Sequence, residues 1–454
     1  MVTDTLPPRR RPSALDCDEY ELTMAQSFWR HEQDRDVVAF EVFVRTLPSN
    51  RGYLLVAGLE QVLDYLHHFA FLSAEIDALR AQGSLDAAFI DHLAEVRFTG
   101  DVNAIAEGTV AGAAMPLLQV AAPRLEATLI ESALLSMINH QTLIASKAAR
   151  IVLAAQGKPV WDFSLRRLHG VEASFGVARA AYIAGCAGTA TVNAGLELGI
   201  PTTGTMAHHY VQAFGEDREQ AAFEQFLRDF PSRAVLLVDT YDTPRGVDRA
   251  AAASHATGVP LGGVRIDSGD LAELSRDARR RLDAAGFSGA IIVASNDLDE
   301  FRIAELLAEG APIDLFGVGT MLGTSADAPA LGGVYKLVAQ TVGGVVQMVM
   351  KRSAAKMTDP GLHQVWRTDS GDVVGLASES DQPGIPLLDA VMRRGESLHA
   401  APSLDSIRVR AREQLAGLTP AVARLIAPAP WPVRRSEELT AVQQEMIRGT
   451  AGGS

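Results

Sequence analysis

Ala234-Val-Leu-Leu-Val-Asp-Thr240 is an apolar run that stops at an acid and a hydroxyl. The same pattern returns three times downstream. Residues 261–266 lead into Asp267-Ser268-Gly269-Asp270, Ile291-Ile-Val-Ala294 leads into Ser295-Asn296-Asp297, and residues 313–318 lead into Gly319-Thr320. Between the runs, residues 248–256, 271–285 and 298–308 have the apolar spacing of helices. Strand then helix at roughly 25-residue intervals is the repeat of βα units and predicts parallel strands. Carboxylates, hydroxyls and glycines then collect at the carboxyl ends of the strands, the face on which parallel barrels and open parallel sheets hold ligands. Residues 180–183 and 198–201 are candidates for additional strands.

The rhythm fades in both directions. Residues 1–14, with Arg9-Arg10-Arg11, read as a flexible tail. Residues 19–30 read as a helix and residues 37–44, rich in β-branched and aromatic side chains, as a strand. A turn at 48–52 precedes an amphipathic helix over 54–71. Residues 123–155 read as one long, nearly uncharged helix with a break at 139–141. Beyond Leu337, residues 342–350 are strand-like, 387–394 and 403–416 read as helices, and 428–432 form a Pro-rich connection.

Composition narrows the function. With 454 residues, 47% of them hydrophobic, the chain is large enough for two domains or one large α/β domain with additions. A formal net charge of −14 argues against nucleic-acid and anionic-membrane partners, and means that an anionic substrate must meet a local positive site. Two cysteines, Cys17 and Cys186, make neither a disulfide framework nor a metal-ligand cluster, which fits a cytoplasmic protein without a protein-bound metal. No secretory leader or membrane span is apparent.

Three stretches carry chemistry. Gly204-Thr-Met-Ala-His208-His209 offers an imidazole that is mostly neutral and nucleophilic at neutral pH, although one packed and one solvated histidine would give the same string. Gly317-Val-Gly319-Thr320 could cradle a phosphate with backbone amides or simply make a tight turn. Asp162-Phe163-Ser164-Leu165-Arg166-Arg167 joins an aromatic face to two guanidiniums, which suit carboxylate or phosphate. There is no P-loop and no dinucleotide fingerprint.

Taken together, these stretches resemble the nicotinate phosphoribosyltransferases. The resemblance runs from about Asp18 to Leu439 through Tyr20-Glu-Leu-Thr-Met24, Asn50-Arg-Gly-Tyr53, Asn139-His-Gln-Thr-Leu-Ile-Ala-Ser-Lys147, Gly204-Thr-Met-Ala-His208, Asp239-Thr-Tyr-Asp-Thr243, Arg265-Ile-Asp-Ser-Gly-Asp270, Ala294-Ser-Asn-Asp297, Phe316-Gly-Val-Gly-Thr320 and Leu331-Gly-Gly-Val-Tyr-Lys336. It implies an α/β fold, an irregular (β/α) barrel plus a second α+β domain built from both chain ends. The corresponding division is a tail (1–14), the N-terminal part of the α+β domain (15–125), the barrel (126–340) and the C-terminal part (341–454).

The resemblance also implies a reaction. Nicotinate and 5-phosphoribosyl 1-diphosphate give nicotinate mononucleotide and diphosphate, with ATP hydrolysis coupled through a phosphohistidine and Mg2+ on the diphosphate. His208 matches the phospho-acceptor and Asp239 the carboxylate that bonds its imidazole. Phe163 matches one wall of the pyridine pocket. Tyr20 matches the other wall, supplied by a neighbouring copy, which implies a homodimer with shared sites. Arg166 and Arg265 match the arginines that hold the ring substituent and the ribosyl diphosphate. Asp267 would take ribose hydroxyls, and Gly319 and Thr320 the 5-phosphate. Thr205, Ser295 and Asp297 fall within matched substrate-binding motifs.

Three residues depart from the family pattern. His209 stands where Ser is usual, Ser164 where Gly is usual, and Ala190 where a small hydroxyl is typical. The related nicotinamide enzymes carry an Asp at the last position. Its absence beside Arg166 favours a carboxylate ligand. The alternatives are a nicotinamide phosphoribosyltransferase and a non-catalytic nucleotide-binding paralogue.

Overall fold

The computed structural model describes residues 12–353 and 356–449. The Arg9-Arg10-Arg11 cluster lies outside them. Residues up to Leu143 and from Ala330 onward pack as one compact unit, and Ile144–Pro329 as another.

In the first unit both chain ends contribute to one seven-stranded antiparallel sheet. Val37–Val44 lies between Gly333–Val342 and Pro116–Pro123, with Glu41 opposite both Lys336 and Gln119. Asp101–Ile105 pairs with Leu388–Arg393. Side chains alternate across a strand, so Val38, Val42 and Val44 enter a core with Leu118, Val120 and Tyr335. Phe40 stacks on Tyr335 with ring centroids 4.4 Å apart. A separate four-stranded sheet holds His363–Thr368, Gly371–Leu376, Ile385–Pro386 and Val433–Arg435.

The second unit holds a six-stranded parallel sheet. Its strands are β1 (Val160–Asp162), β2 (Gly188–Thr189), β3 (Val235–Leu237), β4 (Gly263–Ile266), β5 (Ile291–Ala294) and β6 (Leu315–Val318). Their spatial order is β2-β1-β6-β5-β4-β3, and every pairing is parallel. Helices Thr243–Thr257, Leu271–Ala284 and Glu300–Ala308 connect β3 to β6. Each begins at an aspartate, Asp242, Asp270 or Asp299, whose carboxylate accepts amides of the first turn. The barrel-like α/β unit and the second α+β unit from both chain ends are thus present. No helix among the described residues is long and apolar enough to cross a membrane.

Several sequence expectations need correction. Residues 180–183 are helical, the end of Ala173–Ile183, and most of that helix is buried. A helix without a polar face shows no amphipathic period. Residues 198–201 cover the end of helix Val192–Leu198 and its left-handed cap, Gly199 at φ 69°. The extra strands are β1 and β2, three and two residues long, too short to show a pattern. Residues 388–393 form a strand rather than a helix. Leu388 and Met392 are both buried, and a spacing of four is shared by one helical turn and two pleats. The helix expected over 54–71 is shorter, Leu59–His67, because Leu54–Leu55 pairs with Val110–Ala111. The long helix breaks at Ile130, between Arg124–Leu129 and Glu131–Ala154, and runs through 139–141. Its polar Thr142 bonds the backbone of Ala57 instead of ending the helix.

Candidate active site

The carboxyl ends of the six parallel strands form one rim. At β1, Asp162 is buried and accepts from the amide of Ser164 at 2.9 Å and the hydroxyl of Thr189 at 2.7 Å, as well as from the Ser164 hydroxyl. Burial pushes its carboxyl above the usual range, and these donors pull against that. Asp162 thereby fixes the segment that carries Phe163 and a one-turn 3-10 helix, Leu165–Arg167. Beside it, Gly317 at the end of β6 leaves room for the Phe163 ring; a Cβ there would stand 2.4 Å from a ring carbon. The Arg265 guanidinium lies 5.7 Å from the centroid of the same ring.

Arg265 (β4) is heavily engaged. It meets Asp267 at 3.0 Å, Ser295 Oγ at 2.9 Å and the Met206 carbonyl at 3.5 Å. Ser295 also donates to Asp267. Burial alone would raise the Asp267 carboxyl, but Ser295 and Arg265 outweigh it, and the group titrates below the ordinary range. Asn296 and Asp297 follow at φ 93° and 43°, a left-handed backbone uncommon for non-glycine residues and concentrated at functional sites.

His208 opens the short helix His208–Gln212. Its Nδ1 is 3.3 Å from Thr240 Oγ1 and its Nε2 3.7 Å from Asp267 Oδ2. Asp239, expected to bond the imidazole, does something else. One of its oxygens accepts from the Asp267 amide at 2.8 Å and the Ser268 hydroxyl at 2.7 Å. Its other oxygen, Oδ1, is buried without a hydrogen-bond partner, as is Thr205 Oγ1. His209 is exposed.

Phe163, Arg166, Arg265, Asp267, Ser295, Asp297, Gly319 and Thr320 line one recess of about 130 Å³, together with Arg167, Asn296 and Gly317. His208, Asp239 and Thr205 are tied to this group through Asp267 and the Arg265–Met206 contact. Tyr20 belongs to the other unit. It is 46% exposed on helix Glu19–Arg30, and burial and Glu131 push its hydroxyl up to about 12. Sequence reasoning missed Thr240 and Ser268 as site residues. Both lie within quoted motifs, but only coordinates reveal a hydroxyl's partner. Arg167, flagged in the sequence with Arg166 as one of two guanidiniums, also lines the recess.

Family models match almost the whole chain. The N-terminal, family and C-terminal nicotinate phosphoribosyltransferase models cover residues 15–139, 159–374 and 381–443. This chain belongs to the nicotinate phosphoribosyltransferase family. It is 47% identical to nicotinate phosphoribosyltransferase pncB2 of Mycobacterium tuberculosis over 91% of this chain and 89% of that protein. It is 36% identical to the Bacillus subtilis nicotinate phosphoribosyltransferase, covering 96% and 95%. The crystal structure of human nicotinic acid phosphoribosyltransferase superimposes with a TM-score of 0.82 at 29% identity, covering 95% of this chain and 99% of that one. Within the nicotinate phosphoribosyltransferase family, this chain carries Phe163 beside Ser164, whose hydroxyl bonds Asp162.

Proposed function

We propose that this chain joins nicotinate to 5-phosphoribosyl 1-diphosphate, giving nicotinate mononucleotide and diphosphate for NAD salvage, and that ATP hydrolysis is coupled through phosphorylation of His208. The observation that carries this reading is the division of one rim into two ends. Arg166, Arg167, Gly319 and Thr320 gather at neighbouring strands β1 and β6, and Asp267, Asp239 and His208 gather at β4 and β3. Phe163, just after β1, and Arg265, on β4, link the two ends, with the guanidinium 5.7 Å from the ring centroid.

The chemistry follows from that layout. Pyridine nitrogen carries no proton at neutral pH, so its attack on the anomeric carbon needs no general base. As the bond to diphosphate breaks, the sugar becomes cationic and the leaving group anionic, so the protein's work is positioning and charge stabilisation. Phe163 offers a flat face to the ring. Asp267, held ionised by Arg265 and Ser295, presents an anionic oxygen to the ribose. The Gly319–Thr320 amides open a helical turn at the phosphate end.

Magnesium fits this set. Asp239 Oδ1 is a buried, unpartnered hard oxygen. Among the described residues no three His, Cys, Asp or Glu side chains form a protein-only cage, so Asp239 and Asp267 would share the ion with the diphosphate. When bound, the ion offsets charge on the leaving group.

A ring nitrogen of His208 attacks the γ-phosphorus of ATP, the bond to the β,γ-bridging oxygen breaks and ADP leaves; water later attacks the phosphohistidine, breaking the N–P bond and releasing inorganic phosphate and the free imidazole. Thr240 and Asp267 hold the ring in place for that step. Ala190, which offers no carboxylate to the ring substituent, supports nicotinate over nicotinamide. The exposed Tyr20 is available to a second copy, and the reading includes a cytoplasmic homodimer with shared pockets. The test is mononucleotide formation from labelled nicotinate or nicotinamide with the ribosyl donor and magnesium. Product from nicotinate alone is expected; product mainly from nicotinamide reverses the substrate assignment, and no product with ligand still bound favours the non-catalytic alternative.

A further inference from the structure

We propose that Arg167 is the guanidinium that holds the 5-phosphate of the ribosyl donor beside the Gly319–Thr320 amides, and that it sets the preference for a phosphorylated over an unphosphorylated sugar. The inference rests on the reading above and assigns a role to a residue that the reading leaves idle.

The recess contains three arginines, Arg166, Arg167 and Arg265, and two aspartates, Asp267 and Asp297. Arg265 is already committed to Asp267, Ser295 and the Met206 carbonyl. The Arg166 and Arg167 side chains have no hydrogen-bond or ion-pair partner among the described residues, and both residues are exposed. Two adjacent, unpaired guanidiniums on a single 3-10 turn repel each other. That cost is offset when anionic groups of the substrates arrive beside them.

The substrates bring three anionic groups, a carboxylate, a 5-phosphate and a diphosphate. The diphosphate belongs with magnesium at the acidic end of the rim. The carboxylate is a monoanion that one planar guanidinium can hold with two bonds. With Arg166 on the carboxylate and Arg265 engaged, the 5-phosphate is the dianion left for this end and Arg167 the guanidinium left to hold it.

Backbone geometry places Arg167 beside the amides expected to meet that phosphate. The Arg167 amide donates to the Ser164 carbonyl at 2.7 Å. Ser164 also abuts the turn Thr320–Gly323, where a Cβ on Gly323 would stand 2.4 Å from the Ser164 Cβ. The Phe163 amide bonds the Val318 carbonyl at 2.8 Å, and a Cβ on Gly319 would lie 3.3 Å from the Phe163 carbonyl oxygen. Asp162, Ser164, Arg167 and the Gly319–Thr320 amides therefore form one connected frame.

The test uses full-length Arg167→Gln and Arg167→Lys with two readouts, steady-state constants and calorimetric binding of ribose 5-phosphate and ribose. The lost charge-assisted bonds should raise the KM for the ribosyl donor and weaken ribose 5-phosphate by roughly tenfold to hundredfold in Arg167→Gln, with the nicotinate KM within about twofold. Arg167→Lys should recover part of the loss. Ribose without phosphate should bind both variants and the parent equally. A rise in the nicotinate KM with the donor KM unchanged would assign Arg167 to the carboxylate and overturn the proposal. Unchanged constants for both substrates, in variants that melt like the parent, would make it a solvated side chain and overturn it equally. A parent enzyme that makes no mononucleotide yet loses ribose 5-phosphate binding in Arg167→Gln would sink the functional reading and leave the phosphate assignment standing.

Discussion

The Asp239 carboxylate accepts a hydrogen bond from the Asp267 backbone amide at 2.8 Å, and the Asp267 carboxylate in turn stands 3.7 Å from His208 Nε2. In the proposed reaction Asp239 therefore reaches the imidazole through Asp267. Asp239→Ala should release the Asp267 loop and impair phosphoribosyl transfer with and without ATP, by at least about a hundredfold, since small misplacements cost that much. If Asp239→Ala abolished only the ATP stimulation, Asp239 would be acting on the histidine alone.

Thr240 holds the other ring nitrogen at 3.3 Å. Thr240→Val should reduce the ATP stimulation and leave ATP-independent transfer nearly unchanged, and Thr240→Ser should restore it. Equal behaviour of Val and Ser would show that the hydroxyl does not orient the ring.

Gly317 is fixed by contact with Phe163. A Cβ 2.4 Å from the ring must displace it. Gly317→Ala should raise the nicotinate KM by about tenfold or more while the ribosyl-donor KM changes less. Stopped-flow or steady-state kinetics on both substrates would read the split; equal effects on both would mean that the whole rim had moved.

Glu21 predicts a pH dependence of stability. Its side chain is buried, accepts from the amide of Ser132 at 3.1 Å, and has one oxygen without a partner. Burial raises it to about 7. The native state therefore holds this proton more tightly than the unfolded chain does. The associated stability is complete below the unfolded value of about 4.3 and is lost as pH rises through about 7, on the order of 4 kcal/mol at most. Glu21→Gln should flatten this part of the stability profile in denaturant titrations between about pH 5 and 8. An unchanged slope would place the proton elsewhere.

Lys147 is fully buried, 2.5 Å from Glu300 and 2.9 Å from Asp327, and Arg150 meets the second Glu300 oxygen at 2.9 Å. Removing one member of such a network strands a buried charge. Lys147→Ala should cost about 3–5 kcal/mol of unfolding free energy. A loss below about 1 kcal/mol in chemical denaturation would mean that water or rearrangement replaces the ammonium.

The parallel sheet was legible because β3 to β6 are short apolar runs that all stop at acids, hydroxyls or glycine, and the helices between them repeat that order. Their shared rim follows from the parallel direction alone. What the string could not show has physical causes. A helix buried on all sides, like Ala173–Ile183, has no polar stripe, and β1 and β2 are too short for a period. Leu388 and Met392 have a spacing that strand and helix share, and pairing with Asp101–Ile105 decides between them. In the rim, the types of the polar residues were readable but their partners were not. The order of Asp239, Asp267 and His208 along the chain does not say which carboxylate faces the ring, and only three dimensions reveal that Arg265 is occupied while the Arg166 and Arg167 side chains have no partner among the described residues.

The most direct measurement is nicotinate mononucleotide formation by the parent enzyme and by His208→Ala, each with and without ATP, at saturating nicotinate, ribosyl donor and magnesium. The account predicts product from the parent, a clear increase with ATP, and a variant that keeps some ATP-independent transfer but gains nothing from ATP. ATP stimulation that survives in His208→Ala would contradict the assigned role of His208, and absence of product from the parent would contradict the proposed reaction itself.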